Sequence, residues 1–526
     1  MQKNHFWPVP MIVNSPMQFD DVLRELEIRE RTASNPPVSD VVYDSRHVAP
    51  GVLFVAMQGS TTDGNRFVEN ALQRGACAVV TDFEATWQSL RATHPDLAIA
   101  RVDHGRRALA EISANFFRHP ERRLKLSGVT GTNGKTTTTY LLESMLRSAD
   151  RTCILVGTIE YHVAEEIRPS PHTTPESRDL FQLFAEGVAT GATEAVMEVS
   201  SHALDQGRVW GLHWDTAIFT NLTQDHLDYH GTMESYFQAK AKMFAGEGAA
   251  PPRVAAIHIA DDYGQRLISL ARAAGCEIFT YGLDHGDFCA TNVQLAANGT
   301  RFRMLTPVGE TDLHTYLPGP VNVLNLLGAS AAALARGLTL EEIVRGVESI
   351  ACVPGRFQTV DCGQPFTVAI DYAHTDDALR NVTRLARQLA APRRGRVITV
   401  FGCGGDRDRA KRPKMGRAAG EGSDFVVVTS DNPRSENPDA ILTEILPGLK
   451  ASGARFTVEP DRACAIRLAV DAAQENDVVV IAGKGHEKVQ ILCGSTIPFD
   501  DVEEAREALL ERYGKSSRVP LGLQCN

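Results

Sequence analysis

No run of apolar residues in this 526-residue chain approaches the ~18 that a helix needs to cross a bilayer, so no transmembrane helix is expected. Paired cysteines are missing as well. The ten cysteines include no CxxC and show no regular spacing, which argues against a disulfide framework and fits reduced thiols in a cytosol. Excess positive charge is also absent. Lys and Arg number 54 against 65 Asp and Glu, leaving a net charge of -11. That balance disfavours a nucleic-acid backbone as partner, yet leaves room for small anions held in a local site. The opening stretch "MQKNHFWPVPMIVNSP" lacks the apolar core of a signal peptide and the Arg/Ser-rich character of a transit peptide. The tail "GKSSRVPLGLQCN" reads as a frayed end. No internal repeat or low-complexity segment is evident. A cytoplasmic protein is expected, with no nucleic-acid partner and no membrane insertion.

What is present is ordinary α/β material of about three domain lengths, with 43% hydrophobic and 23% charged residues. Residues 1–103 carry short apolar runs ("VLFVAM", "ACAVVTD") between turns, a small α/β unit. "RRALAEISANFFRHP" then spaces Leu109, Ile112 and Phe116 as one helix face. From "LKLSGVTG" onward, strand-like and helix-like segments alternate, which predicts a mainly parallel sheet wrapped by helices over 104–353. "CVPGRFQTV" reads as a junction. Residues 354–526 form a further α/β unit with candidate strands "FTVAID", "RVITVFG", "DFVVVTS" and "DVVVIAG".

The strongest local signal is "LKLSGVTGTNGKTTTTYLLESML". A strand feeds a glycine turn, and Lys135-Thr136 opens a helix. Backbone N–H groups around Gly131, Thr132, Asn133 and Gly134 can cradle phosphates at the positive end of that helix. Lys135 can reach the outer phosphates, and Thr136 can coordinate Mg²⁺, with Thr137 next in the first turn. Five residues separate Gly128 from Gly134, one more than the standard phosphate loop has, so this is a variant loop. ATP binding is the expectation.

The form "GTNGKTT" resembles the Mur ligase family, whose members add amino acids to the peptidoglycan precursor, together with relatives that glutamylate folate. The resemblance extends in order along nearly the whole chain. It implies an N-terminal uridine-nucleotide domain, a central phosphate-loop domain and a C-terminal Rossmann-like domain. "AVMEVSSHALDQGRV" places Glu198 on an apolar strand, where an unpaired carboxylate would cost several kcal/mol. "TNLTQDHLDYHGTMESYFQAKAKMF" supplies His226 and Lys240. By resemblance Glu198 and His226 hold a second Mg²⁺, and Lys240 is carbamylated and supports it. Lys242 points to another side of its helix. His226 and His230 at i,i+4 invite a zinc reading, which the missing HExxH glutamate and the absence of nearby cysteine discount.

The same resemblance assigns contacts with a UDP-muramoyl peptide to "RPSPHTTPES" (His172, Thr173, Thr174) and to Ser200, Gln206 and Arg208. His172 stands where the family usually has Asn. In "VVYDSRHVAPGVLFVAMQGSTTDG", Tyr43, Ser45, Ser60, Thr61 and Thr62 would face the uridine nucleotide. "GPVNVLN" with Asn325, "PGRF" with Arg356 and "DYAHTDDAL" with His374 match segments around ATP.

Three polar clusters in the last third each follow an apolar strand: "FGCGGDRDRAKRP", "SDNPR" and "AGKGHEKVQ". In a parallel sheet all strand C-termini share one edge, where ligands bind. Arg407, Asp431, Asn432, Pro433, Arg434, Gly483 and Glu487 should therefore converge. Guanidinium groups for carboxylates beside an anion for an ammonium suit an amino acid with a second amino-acid head. By resemblance the Asp-Asn-Pro-Arg turn marks use of meso-diaminopimelate, with Arg434 reading the carboxylate that lysine lacks. The implied substrates are ATP with Mg²⁺, UDP-N-acetylmuramoyl-L-alanyl-D-glutamate and meso-diaminopimelate, joined by a monomer. Two alternatives stay open: a superfamily ligase with another amino acid or acceptor, and a nucleotide-dependent switch that performs no ligation.

Overall fold

The computed structural model describes residues 15–59, 62–296 and 298–513. The opening stretch through residue 14, the tail from 514, and Ser60 and Thr61 lie outside the described residues. Among the described residues no helix is long and apolar enough to cross a membrane.

Three α/β sheets follow one another along the chain. The first has five strands in the spatial order Glu30–Arg31, Ala98–Arg101, Ala78–Thr81, Leu53–Ala56, Val41–Val42, parallel apart from its first strand. The helix Gly105–Phe116 follows, burying Leu109, Ile112 and Phe116 as their spacing predicts.

The second sheet has eight strands, ordered Glu166–Pro169, Glu160–Val163, Cys153–Val156, Glu194–Glu198, Lys125–Thr130, Thr216–Phe219, Val254–His258, Glu277–Tyr281. The six from Cys153–Val156 onward are parallel, covered by helices on both faces, and mostly apolar throughout. The first two are an antiparallel extension. The strand Cys153–Val156 ends at Gly157, and the chain bends back at Thr158 and Ile159 into the antiparallel strand that starts at Glu160. An antiparallel sheet of Cys289–Ala296, Gly299–Thr306 and Gly309–Thr315 follows, and nothing in the alternating pattern announced it.

The third sheet orders its strands Gln358–Val360, Thr367–Asp371, Val478–Ala482, Val397–Phe401, Phe425–Val428, Arg455–Val458, and only the first is antiparallel. The four expected strands are its centre. Because Val397–Phe401, Phe425–Val428 and Val478–Ala482 run in parallel, the loops after them emerge at one edge.

Candidate active site

Strand Lys125–Thr130 delivers the chain to a tight loop, and helix Lys135–Ser148 starts immediately beyond it. Gly134 makes the turn possible. Its φ is +89°, and a Cβ there would lie 2.4 Å from Asn325 Oδ1. Buried Asn325 is thereby set against the loop. Two amides expected to cradle phosphate are otherwise engaged: Thr132 N–H donates to Asn221 O (2.9 Å) and Asn133 N–H to Asn221 Oδ1 (3.0 Å). This corrects the cradle in part: the Thr132 and Asn133 amides are taken, while the first helical turn, around Lys135 to Thr137, adds amides of its own beside those of Gly131 and Gly134. Lys135 Nζ folds over the loop and donates to Gly131 O (3.0 Å) and Thr132 O (2.9 Å).

Thr136 joins three parts of the site. Its hydroxyl donates to Glu198 Oε1 (3.0 Å) and accepts from Arg356 Nη2 (3.0 Å), a residue just before the third sheet. Glu198, almost fully buried at the end of its strand, also accepts from Thr158 N–H (2.7 Å) and Thr158 Oγ1 (3.0 Å). A Cβ on Gly157 would come within 2.8 Å of Glu198 Oε1, so the small residue keeps that side of the carboxylate open.

Lys240 is buried on helix Met233–Ala245, with Nζ donating to the same Gly131 carbonyl (2.9 Å) and lying 4.7 Å from the centre of the Tyr236 ring. Burial, and then the charge of Lys135, push its pKa well down. A neutral amine is the form that reacts with CO₂, so the setting suits carbamylation. Lys242, two residues on, instead pairs with Asp205 (3.1 Å). His226 begins a short turn at φ +53°. Burial lowers its pKa to about 4 against the pull of Asp225, with His202, Lys135 and Lys240 also lowering it, so the imidazole is neutral and able to ligate. His230 stacks on Tyr236 and contacts Ser201 Oγ (2.9 Å).

Among the described residues no three His, Cys, Asp or Glu side chains gather closely enough to hold a metal alone. The oxygen donors Thr136 and Glu198, with neutral His226 nearby, fit Mg²⁺, which is held by one or two carboxylates together with substrate phosphates.

The residues expected at the muramoyl peptide cluster beside Glu198. Thr174 Oγ1 donates to Glu198 O (2.8 Å) and accepts from Ser200 N–H (3.1 Å), and Thr173 Oγ1 lies 3.0 Å from Thr158 Oγ1. Arg208 donates to Thr174 O (3.0 Å) and to Gln206 Oε1 (2.8 Å). His172 is exposed, and its carbonyl accepts from Tyr161 OH (2.6 Å). Arg106 adds a cation that sequence reasoning missed, reaching Gln206 Oε1 (2.6 Å) and Glu176 (3.3 Å). In the first unit, Tyr43 OH donates to Asp179 Oδ2 (2.6 Å), Ser45 is buried, and the Thr62 carbonyl accepts from Gly59 N–H (3.0 Å). Tyr43 therefore spends its hydroxyl on the junction between units.

At the edge of the third sheet the expected clusters meet. Asn432 Nδ2 donates to Glu487 Oε2 (2.7 Å), and Arg434 Nη1 donates to Gly405 O (2.7 Å). A Cβ on Gly483 would lie 2.5 Å from Asp431 Oδ2, and one on Gly405 would strike the carbonyl of buried Pro433. Arg434 stands at φ +55°, costly for a side-chain-bearing residue and held by its N–H on Ile491 O (3.0 Å). Arg407 is exposed at the rim. Lys484 was missed. Its fully buried Nζ donates to Val489 O (2.6 Å), Asn432 Oδ1 (3.1 Å) and Glu487 Oε2 (3.1 Å), so it holds two of the expected ligand contacts in place. His374 is exposed, its Nδ1 2.9 Å from Tyr372 O. Tyr372 also packs on His486 and under Arg356, at 5.0 and 4.8 Å.

A phosphate-loop sheet docked against a second sheet with its own ligand edge defines a class, the nucleotide-dependent ligases whose substrates enter from separate units. Comparison with known proteins narrows that class. Residues 37–117 match the model described as Mur ligase family, catalytic domain. Residues 129–333 match the Mur ligase middle domain, and 355–485 match the Mur ligase, glutamate ligase domain. The chain belongs to the Mur ligase family.

It is 50% identical over 480 residues to the UDP-N-acetylmuramoyl-L-alanyl-D-glutamate--2,6-diaminopimelate ligase of Solibacter usitatus, covering 91% of this chain and 94% of that one. The enzyme of the same name from Geobacillus thermodenitrificans is 45% identical over 483 residues, covering 91% and 96%. A solved structure of a ligase with that name superposes with a TM-score of 0.67 at 33% identity, over 95% of this chain and 99% of that one. The ADP complex of the Thermotoga maritima MurF ligase shares the fold, with a TM-score of 0.60 at 17% identity over 90% and 98%.

Proposed function

We propose that the chain is an ATP-dependent ligase that joins meso-2,6-diaminopimelate to UDP-N-acetylmuramoyl-L-alanyl-D-glutamate, a step in making the peptidoglycan precursor. The observation that carries this reading is the docking of the amino-acid edge onto the phosphate loop. Arg356 reaches Thr136, and Asp377 Oδ2 accepts from Asn133 Nδ2 (3.0 Å) and Thr223 Oγ1 (3.2 Å). Relatives 40–50% identical over more than 90% of the chain, which carry that activity in their names, support it. Residues 1–103, 104–353 and 354–526 would serve as the UDP-substrate, ATP and amino-acid domains. A monomer acting in the cytoplasm suits this role, and light scattering near 57.3 kDa would check the first point.

In the reaction, an oxygen of the D-glutamate γ-carboxylate attacks the γ-phosphorus of ATP. The bond to the bridging oxygen breaks, giving ADP and an acyl phosphate. The free amine of diaminopimelate then attacks the acyl carbon, loses a proton, and phosphate departs. Lys135 and the first-turn amides hold the phosphates in line. Thr136, Glu198, His226 and Lys240 as its carbamate are the residues that would hold Mg²⁺, which when bound neutralises charge on the transferred phosphoryl group. Thr173, Thr174, Ser200, Gln206 and Arg208 orient the acceptor peptide. Asn432 and Glu487 receive the amino-acid head, and Arg434 can bind the distal carboxylate through two parallel hydrogen bonds. With both substrates fixed, positioning supplies much of the rate.

The test is isotopic. Acceptor labelled with ¹⁸O in its γ-carboxylate should transfer one labelled oxygen to the phosphate released. Unlabelled phosphate during product formation would overturn the acyl-phosphate route.

A further inference from the structure

Helix Lys411–Gly422 starts four residues after Arg407, and its first two residues face different units. Arg412 turns inward and is 1% exposed. It donates to both oxygens of Glu436 (3.0 and 2.8 Å), to Glu444 Oε2 (2.8 Å) and to Gly404 O (3.4 Å). The start of the helix is thereby tied to the loops that carry Arg407 and Arg434. Lys411 crosses instead to the phosphate-loop unit, its Nζ 2.7 Å from Asp225 Oδ1. Asp225 is buried, and the same oxygen accepts the N–H of His226 (2.9 Å). His226 occupies the left-handed region, which a side-chain-bearing residue keeps only where its surroundings over-determine it.

We propose that Lys411 is a positioning residue for the ligation: by clasping Asp225 it fixes the His226 turn, coupling the amino-acid edge to the metal-holding side of the phosphate site. The inference rests on the ligase reading and deepens it. Lys411 and Arg412 are neighbours in one helical turn, so a diaminopimelate that draws the Arg407 and Arg434 loops together moves both. The clasp exists only while the units are docked. When they part, Asp225 loses its cation and the turn at His226 loses a constraint. Two further contacts cross the same interface: Asp377 on Asn133 and Thr223 reaches no metal-holding residue, and Arg356 on Thr136 reaches one but does not touch the His226 turn.

The experiment compares Lys411→Met, Asp225→Asn, the double variant and Lys411→Arg with the parent. Readouts are steady-state phosphate release and small-angle scattering with a non-hydrolysable ATP analogue, Mg²⁺ and both other substrates. Lys411→Met should lower kcat about tenfold or more, leave KM for the UDP-substrate unchanged, and give a larger radius of gyration than the parent. The double variant should be no worse than the more impaired single variant, since the two remove one interaction. Lys411→Arg should recover most of the lost rate. Additive losses, or a Lys411→Met protein as fast and as compact as the parent, would overturn the clasp. The scattering arm needs no turnover, so failure of the clasp is distinguishable from failure of the ligase reading, which would appear as a parent without diaminopimelate-dependent phosphate release.

Discussion

Replacing Asp501 with Asn should destabilise the third sheet by about 3–5 kcal/mol, and the structure shows why. Asp501 opens helix Asp501–Tyr513 and is fully buried opposite Arg462, also fully buried, which opens helix Arg462–Ala472. Two parallel bonds join them, Nε to Oδ1 and Nη2 to Oδ2, each 2.7 Å. The guanidinium goes on to donate to Ala482 O (3.0 Å) and Ser430 O (3.4 Å), the residues just before Gly483 and Asp431. An amide at 501 leaves a guanidinium in a dry interior without its counter-charge, the circumstance in which breaking a buried pair is most costly. Removing both partners is a different perturbation. In Arg462→Met with Asp501→Leu no charge is stranded, and the loss should shrink to about 1–2 kcal/mol, for two carbonyls left without that donor. Native-state hydrogen exchange of amides in Val478–Ala482 and Phe425–Val428 reads these free energies locally, which suits a chain of several units. An Asp501→Asn protein within ~1 kcal/mol of the parent, or a double variant as unstable as the single, would refute the reasoning.

Lys484→Met removes the cation holding Asn432 and Glu487, so KM for diaminopimelate should rise about tenfold or more while KM for the UDP-substrate stays put; equal KM values would remove Lys484 from the site. Parent protein depleted of CO₂ should gain activity on adding bicarbonate, whereas Lys240→Ala should be at least about 100-fold slower and indifferent to bicarbonate; a responding variant would discard the carbamate. His162 is buried, which disfavours its charge, but hydrogen bonds to Glu143 and Glu160 outweigh burial and raise its pKa to about 9. Because the folded value lies above the unfolded one, its stabilisation is complete below about pH 6.5 and is lost as pH rises through about 9. The urea-midpoint difference between parent and His162→Gln should therefore shrink from pH 6 to pH 9.5, and a constant difference would contradict the shift.

Much of the fold and site is legible in the sequence wherever local order carries it. Strand, glycine turn and Lys-Thr helix start are contiguous, so adjacent residues alone are enough to place the phosphate loop. The meeting of Asn432, Arg434 and Glu487 is legible for a different reason, since parallel strands bring separate loops to one edge whatever lies between them. Three kinds of feature stay hidden. The antiparallel sheet Cys289–Thr315 and the Glu160–Pro169 extension break the strand–helix alternation, and their outer strands Glu166–Pro169, Cys289–Ala296 and Gly309–Thr315 are partly exposed. The engagement of Thr132 and Asn133 with Asn221 depends on a strand some 88 residues away. Lys484, Arg462 and Lys411 look like surface charges in sequence, and only tertiary packing buries the first two and sends the third across a domain junction.

Amino-acid choice is the property that most directly separates this ligase from its relatives. The measurement is phosphate release with ATP, Mg²⁺ and UDP-N-acetylmuramoyl-L-alanyl-D-glutamate, comparing meso-diaminopimelate with L-lysine. Release that depends on diaminopimelate, with lysine at least about 100-fold poorer in kcat/KM, is the predicted result, because lysine leaves Arg434 without its carboxylate. Equal use of both, or preference for lysine, would contradict it.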